Sequence, residues 1–257
     1  LKFKSTNDYI DKFKIYCLIK LNKDEEAQIY FDLKKEQGFK DKFFESKFNY
    51  LMGYSDKSIA EISEKSVLNF HLSHVTSENF NYTANEKTPK FIWKYLSSNN
   101  LLEDIKEIDL ENAEKIMTLE KATHEKNYSE KELLQLYKRF DFSLPQLLDA
   151  NNLYNKLPNF QARAILYQRL LLSDDPINKV DLAMKMKSLF RKDKIENAFV
   201  IELSNILKDI NFDDISSSQT TFYEKNIINE KKFQNTYNIN NKIIHQSKLL
   251  DYFAKGY

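Results

Sequence analysis

Few side chains in this sequence have the type and spacing that chemistry requires. The first candidate is Glu45, in the run Glu45-Ser46-Lys47-Phe48 on a predicted helix. A single carboxylic acid held protonated by burial could donate a proton to a glycosidic oxygen. An exposed glutamate on an amphipathic helix fits the same residues. We favour that second interpretation, because the acid lacks the surrounding motif that such a site requires.

A pair of histidines is the second candidate. His71 and His74 are three residues apart, so a helix places both imidazoles on one face, as a metal site requires. A metal site also needs a third ligand, for which Glu78 is the nearest candidate. Since His71 lies on the apolar side of its helix, a packed and hydrogen-bonded histidine is the favoured interpretation. We therefore predict no metal and no cofactor.

Charged residues on two later helices form the third set. Glu120 and His124 have the spacing of an i,i+4 pair, which we interpret as solvent-exposed. Arg163 interrupts the most apolar helix, together with Gln168 and Arg169. A buried Arg163 must pair with an acid, either as an internal ion pair or by holding a peptide carboxylate, and we favour the internal pair.

Aromatic residues are the fourth set, and they could line a groove. Candidates are Tyr82, Trp93, Tyr95 and the pair Tyr128 and Tyr137. Aromatics at helical spacing usually belong to a core, but the 15 tyrosines exceed what a core needs, and tyrosine is favoured at interfaces. The candidate binding residues are therefore Tyr82, Trp93 and Tyr95, with Arg163 and Arg169.

The composition predicts a globular, helical protein. Hydrophobic residues are 42% and charged residues 30% of the 257, which excludes disorder along the whole length. Only 3 Gly and 4 Pro occur, against about 18 and 13 at average usage. Because sheets, barrels and phosphate-binding loops need glycine in their turns, this shortage favours helices joined by short polar turns.

Charge and cysteine content exclude several classes of function. The net charge of +1 gives no case for nucleic acid or an anionic membrane as a partner. The single cysteine, Cys17, excludes an internal disulfide and a cysteine-based metal site. No apolar run is long enough to span a bilayer. Since the sequence begins at Leu1 and not at Met, we expect a fragment or a processed product.

The region from Asn7 to Tyr54 gives the clearest pattern, a helical hairpin. The predicted inward face of its first helix is apolar throughout. Asn22 is the predicted N-cap of the second helix, with Glu25 completing a capping box, and Gly38 is its predicted end. Ala27, Phe31 and the stem of Lys34 face the first helix, whose own inward residues are Tyr9, Ile10, Phe13, Tyr16, Cys17, Leu18 and Leu21.

The run from Leu21 to Phe31 resembles the centre of a tetratricopeptide unit. In that family a small residue opens the second helix and an aromatic follows four residues later, as Ala27 and Phe31 do here. The chain departs from the family at Lys14-Ile15, where the family has Leu-Gly, at Lys34, where it has Ala, and at Phe39, where it has Pro. The resemblance covers about residues 7–37. It implies a scaffold of helical hairpins with a groove for a protein partner.

The Glu45-Ser46-x-Phe48 stretch resembles the segment around the general acid of lytic transglycosylases. That resemblance implies a cell-envelope enzyme, or an accessory to one, acting on peptidoglycan through Glu45. In this chain only Leu51-Met52-Gly53-Tyr54 follows the motif, and the helices follow it where the family places them before it. The compartment stays open, with the bacterial periplasm favoured over the cytoplasm.

Further amphipathic segments follow the hairpin along the chain. Capping signals open several of them, including Asp41, Thr88-Pro89, Ser129 with Glu132, and Ser143 with Gln146. From Asn211 serine and asparagine dilute the apolar pattern. Predicted helices lie at about residues 39–54, 63–74, 88–98, 109–125, 129–140, 143–155, 158–172, 180–190, 195–210, 220–232 and 240–253.

The sequence therefore predicts an all-α protein with no sheet. The favoured architecture is an irregular α-solenoid of antiparallel hairpins, and a compact helical bundle is the alternative. A helical-repeat domain is predicted over residues 1–210, with a polar C-terminal helical segment at 211–257. The favoured function is a non-enzymatic scaffold that binds a protein or peptide. The alternatives are the glycan-cleaving enzyme and a purely structural segment of a longer chain. The sequence leaves the oligomeric state open.

Overall fold

The protein is all-helical in the part of the chain that its structure, a computed structural model, describes. That part is residues 8–228, and no strand occurs within it. The all-α prediction is confirmed. Contacts divide the chain into two compact units, residues 1–103 and 104–257.

Within residues 8–228 the first unit contains five α helices and the second contains eight. The helices of the first unit are α1 Asp8–Lys20, α2 Asp24–Glu36, α3 Lys42–Leu51, α4 Val67–Val75 and α5 Lys90–Ser98. Those of the second are α6 Ala113–His124, α7 Glu130–Lys138, α8 Leu144–Leu148, α9 Ala150–Leu153, α10 Asn159–Leu171, α11 Pro176–Lys192, α12 Ile201–Lys208 and α13 Thr220–Asn226. Short 3-10 helices lie at Ile105–Glu107, Tyr154–Lys156, Glu196–Phe199 and Phe212–Asp214.

The turn between α1 and α2 depends on the backbone of Asn22. Asn22 has a φ of 55°, a left-handed conformation that asparagine tolerates. Its N–H donates to Ile19 O, and the N–H of Lys23 donates to Leu18 O, which closes the end of α1. The predicted N-cap at Asn22 is therefore wrong, because this residue ends the first helix. Helix α2 begins without a side-chain cap.

The buried face of α1 differs from the predicted one. Asp11 and Ile15 are its buried residues, whereas Tyr9, Ile10 and Phe13 are exposed, as is Leu21 after the helix. The physical reason is an ion pair between the hairpin's helices. Lys34 Nζ lies 3.0 Å from an Asp11 carboxylate oxygen, and the Tyr30 hydroxyl donates to the other oxygen at 2.8 Å. Part of the predicted face therefore lies outward, while Tyr16 and Leu18, also predicted to face inward, pack against the core of the hairpin region.

The other end signals of the first unit are partly confirmed. Gly38 follows α2 with a φ of 97°, and Asp41 caps α3 by accepting a hydrogen bond from the Phe44 N–H. Thr88 does not cap α5, because its hydroxyl accepts from the Asn85 N–H instead. The core of this hairpin region consists of Ile15, Ala27, Phe31, Phe44, Phe48, Leu68 and Leu72.

Helix α10 is the centre of the second unit, as its apolar sequence predicts. It packs against α7 and α11 and also contacts α8 and α9. The predicted capping box is present at Ser129, and at Ser143 the side-chain oxygen of Gln146 accepts from the Ser143 N–H and hydroxyl. Glu130, buried at the start of α7, accepts hydrogen bonds from the N–H groups of Val200 and Glu202 and so also caps α12.

The predicted domain boundary and the last predicted helix are not tested by residues 8–228. The division at residues 103 and 104 lies inside the predicted repeat domain, and the boundary at 210 and 211 stays a prediction. The predicted helix at 240–253 lies outside the described residues. Within residues 8–228 no helix combines the length and the apolarity needed to cross a bilayer.

Replacing Asp11 by alanine should destabilise the first unit. The Lys34 ammonium and the Tyr30 hydroxyl would lose their shared acceptor, and hydrogen bonds to charged groups are worth about 2 kcal/mol. The exposed Asp8→Ala change removes an acid from the same helix and should cost less than about 1 kcal/mol. Urea unfolding followed by fluorescence of the single tryptophan, Trp93, measures both. Equal losses for the two variants would contradict the role of the Asp11 contact.

Candidate functional site

A cleft of about 930 Å³ lies in the second unit, between α6, α10 and the chain segments that follow α7 and α11. Residues from four parts of the sequence line it. They are Leu110, Glu111, Ala113, Met117, Glu120, Lys121, Arg139, Phe140, Asp141, Pro158, Asn159, Phe160, Gln161, Arg163, Asp193 and Ile195.

A buried ion pair stands at the floor of this cleft. Arg163 on α10 holds Glu120 on α6 through two hydrogen bonds, Nε to Oε1 at 2.9 Å and Nη2 to Oε2 at 2.5 Å. Both side chains are almost fully buried, with exposures of 1% and 2%. Two-point contact of this kind is the strongest geometry available to an arginine and a carboxylate. The prediction that a buried Arg163 pairs with an internal acid is confirmed.

The second half of the guanidinium is also engaged. Nη1 donates to Asp193 Oδ2 at 2.6 Å and to the carbonyl of Leu189 at 3.2 Å, both near the end of α11. Arg163 thus joins α6, α10 and the C-terminal end of α11. Four of its five N–H groups have acceptors. Its guanidinium also lies 5.0 Å from the centre of the Phe190 ring.

Glu120 has a third hydrogen-bonding partner on α7. The hydroxyl of Tyr137, which is completely buried, donates to Glu120 Oε1 at 2.5 Å. Burial raises the pKa of Tyr137, and the neighbouring Glu120 carboxylate raises it further. Tyr137 therefore stays a neutral donor. The interpretation of Glu120 as a solvated partner of His124 is wrong, because Glu120 lies in the core and His124 accepts from the Asn197 N–H.

The walls of the cleft are mainly apolar. Phe140, Phe160 and Ile195 are buried beside it, while Met117 is 46% exposed. Arg139 anchors one edge, because its Nη1 and Nη2 donate to the carbonyls of Ile105 and Ile108. These contacts fix the segment that precedes α6.

Charges of both signs surround the apolar walls. The side chains of Glu111, Lys121 and Asp141 make no hydrogen bond or ion pair with another described residue. The carboxylate of Asp193 is 31% exposed and also accepts from Asn159 Nδ2. Counting Glu120, Arg139 and Arg163 as well, the lining has four acids and three bases.

The polar groups at the floor of this cleft already hold one another. Glu120 is committed to Arg163 and Tyr137, so it lacks a free proton to donate as a general acid. Arg163 is committed to two acids and a carbonyl. The exposed apolar surface of Met117 and the charges at the edge are the groups available to an incoming molecule.

The first unit contains a hydrogen-bonded chain of histidine and tyrosine. His71 Nε2 lies 2.6 Å from the Tyr16 hydroxyl, and His71 Nδ1 lies 2.8 Å from the Tyr95 hydroxyl. His74 Nδ1 contacts the same Tyr95 hydroxyl at 2.8 Å. The two imidazoles therefore converge on a phenol. Within residues 8–228 no group of three or more potential ligands is placed to hold a metal ion.

The remaining candidate residues lie in different surroundings. Glu45, in the first unit, has a side chain 41% exposed and an oxygen 2.5 Å from Lys35 Nζ. Tyr82 donates to Glu64 and packs on Phe70, while Trp93 is half-buried on α5. Arg163 lines the cleft of the second unit, and Arg169, on the same helix, does not.

Tyr128 and Tyr137, suggested as groove residues, are not among the residues that line this cleft. Both are buried, with exposures of 7% and 0%. Gln168, which also interrupts the apolar pattern of α10, donates to the carbonyls of Tyr137 and Phe140 and so fixes the end of α7.

The sequence contained a signal for Glu120 that its pairing with His124 obscured. Ile116, Leu119 and Thr123 are buried on the same helical face, at positions four before, one before and three after Glu120. Glu120 is therefore an acid within a buried stripe. Because the most apolar helix contains Arg163, the two residues are the natural partners for a buried ion pair. Nothing in the local sequence indicates that Asp193 joins it.

Comparisons of the chain with models of protein families, with curated proteins and with solved structures found no match.

Replacing one partner of the buried ion pair should lower the free energy of unfolding more than replacing both partners by apolar residues. Glu120→Ala leaves a buried guanidinium without its main partner, and such changes cost about 3–5 kcal/mol. The double variant Glu120→Leu with Arg163→Met fills similar volume without charge, so most of that loss should be recovered. Urea unfolding followed by far-ultraviolet circular dichroism measures both. A double variant less stable than Glu120→Ala would contradict this account.

The first unit should lose stability on acidification through His71. Burial lowers the pKa of His71, and the nearby His74 and Lys20 lower it further. Because its ordinary pKa is about 6.5, the unfolded chain takes up a proton first, and stability falls as pH drops below that value. The urea midpoint followed through Trp93 should be lower at about pH 5 than at about pH 7.5. His71→Gln should reduce this difference in urea midpoint, and His124→Gln should leave it unchanged. If His71→Gln shows the same difference as the unmodified chain, His71 is not its cause.

Proposed function

We propose that this protein is a non-enzymatic helical scaffold that binds a peptide segment of a partner in the cleft of its second unit. The observation that carries the proposal is the mainly apolar cleft, whose floor is an ion pair held by two hydrogen bonds. Pockets of this volume and lining are typical binding sites.

The cleft supports binding because its geometry is set before a ligand arrives. The floor is held by the contacts of Arg163 to Glu120 and Asp193, and one edge is held by Arg139. A preformed site loses little freedom on binding, so more of the contact energy contributes to affinity.

The lining indicates the chemistry of the occupant. Met117, Phe140 and Phe160 offer contact to an apolar side chain. The acids Glu111 and Asp141 at the edge suit a neighbouring basic side chain, and Lys121 suits an acidic or carbonyl group. A peptide with one apolar anchor residue next to a lysine or arginine combines these features.

The architecture belongs to the same proposal. Antiparallel helical hairpins such as α1–α2 are the units of an α-solenoid, and the resemblance to tetratricopeptide repeats supports a scaffold of that type. The glycan-cleaving alternative has no support from the surroundings of Glu45, which is a partly exposed partner of Lys35. That alternative and the purely structural role stay predictions.

The four methionines allow a direct test. With their methyl groups labelled by carbon-13, Met52, Met117, Met184 and Met186 give four separable nuclear magnetic resonance signals. Short peptides with one leucine or phenylalanine beside lysine or arginine, titrated into the full chain, should shift the Met117 signal selectively. Met184, 37% exposed and outside the cleft lining, is the internal control.

A matched pair of variants completes the test. Met117→Asp should weaken binding about tenfold, equivalent to 1.4 kcal/mol, and Met184→Asp should leave it unchanged. If no such peptide shifts Met117, or if Met117→Asp binds as well as the unmodified chain, the cleft is not a peptide site.

A further inference from the structure

The hairpin of α1 and α2 has an apolar surface that no described residue covers. We define the outer hairpin surface as Tyr9, Ile10, Phe13, Cys17, Leu21, Ile29 and Leu33, together with the charged residues between them. Six of its seven apolar side chains are exposed by 43% or more, and Cys17 is half-exposed.

These residues share one side of the hairpin. At 100° per residue, Tyr9, Phe13 and Cys17 lie opposite the buried Ile15 on α1. On α2, Ile29 and Leu33 lie opposite the buried Ala27 in the same way.

The opposite side of the hairpin faces α3 and α4. Lys12 of α1 contacts Asp41 and Asn69, and Lys35 of α2 contacts Glu45. Because both helices turn toward α3 and α4 on the same side, their exposed faces form one continuous surface on the other.

The charges on this surface are separated by sign. The exposed charged residues of α1 include Lys14 and, at the edge toward α4, Lys20, which lies near His71. Those of α2 include Glu25, Glu26, Asp32 and Glu36. The two lysines lie over tyrosine rings, Lys14 over Tyr30 and Lys20 over Tyr16, and neither forms an ion pair with a described residue. One half of the surface is therefore apolar and basic, and the other is apolar and acidic.

From this complementarity we propose that the outer hairpin surface binds a second copy of this chain. A twofold axis parallel to the helices places α1 of each copy on α2 of the other, so basic residues meet acidic ones. An axis across the helices would place lysines on lysines. The charges favour the first arrangement.

The register within the hairpin sets which residues meet. Asp11 contacts Lys34 and Lys14 contacts Tyr30, so these pairs lie at the same height along the two antiparallel helices. At any height the residue numbers on α1 and α2 therefore add up to about 45. In the proposed dimer Lys20 of one copy therefore comes level with Glu25 of the other. Phe13 comes level with Leu33, and Cys17 with Ile29. Each contact occurs twice.

Sedimentation equilibrium of the full chain tests the proposal. The unmodified chain should have twice the monomer mass at high concentration and dissociate on dilution. Phe13→Glu should raise the dissociation constant at least tenfold. The exposed Lys42→Glu on α3, which changes charge within the same unit but outside this surface, should leave it unchanged.

A charge exchange tests the arrangement of the two copies. Lys20→Glu and Glu25→Lys should each weaken the dimer, and the double variant should restore it because opposite charges meet again. Circular dichroism of each variant establishes that the helices are retained. A chain that is monomeric at every concentration, or a double variant no tighter than either single change, would overturn the proposal.

Thiol labelling of Cys17 separates the remaining outcomes. Labelling should slow as protein concentration rises, because Ile29 of the second copy covers the thiol. Slow labelling at every concentration in a monomer would mean that another part of the same chain covers this surface. A disulfide between two Cys17 residues would mean that α1 packs on α1. Either result contradicts the proposal.

Discussion

The second unit depends on one buried interaction, the two-point ion pair of Arg163 with Glu120. A guanidinium cannot lose its proton in a protein, so its burial in the most apolar helix requires acceptors on every neighbouring element. Burial alone would lower the pKa of Arg163, but Tyr137 and the Glu120 and Asp193 carboxylates raise it above its ordinary value. Because its acceptors lie on α6 and at the C-terminal end of α11, while Arg163 itself lies on α10, satisfying this one side chain fixes how the three helices pack.

The same constraint produces the cleft. Phe140, Phe160 and Ile195 bury their apolar surface beside the ion pair, and Asp193 closes one end. Replacing a buried ion pair by apolar residues often leaves stability unchanged. Its role here is to position helices, since its hydrogen bonds join α6, α10 and the end of α11. A binding surface built on that floor is held in shape without a ligand.

In the first unit some charged residues lie inside the hairpin and some apolar residues lie outside it. There the contacts of Asp11 with Lys34 and Tyr30 occupy the inner face of a hairpin whose apolar residues then lie outside. Each unit therefore buries charged residues among its helices, Asp11 in the first and Glu120 with Arg163 in the second. In each case the consequence is an uncovered apolar surface.

Sequence reasoning reached the helical class, most helices and several caps, because glycine scarcity and capping boxes are local signals. Ser129, Asp41 and Gly38 act where the sequence placed them. It failed where a distant contact decides the outcome. The predicted inward face of α1 is right for Tyr16 and Leu18, but the contact of Lys34 with Asp11 occupies the rest of the inner face.

The cleft is not predicted from the sequence, because contacts between distant segments form it. It is assembled from four segments, and only Arg163 among its residues was identified as a candidate.

Side-chain nuclear magnetic resonance of the arginines tests the central claim most directly. The chain contains four, Arg139, Arg163, Arg169 and Arg191, and nitrogen-15 labelling of arginine gives one Nε–H signal for each. The account predicts that the Arg163 Nε–H, bonded to Glu120 and shielded from water, exchanges with solvent far more slowly than the other three. An Arg163 signal that exchanges as fast as that of Arg191 would contradict a buried, permanently engaged guanidinium and with it the fixed floor of the cleft.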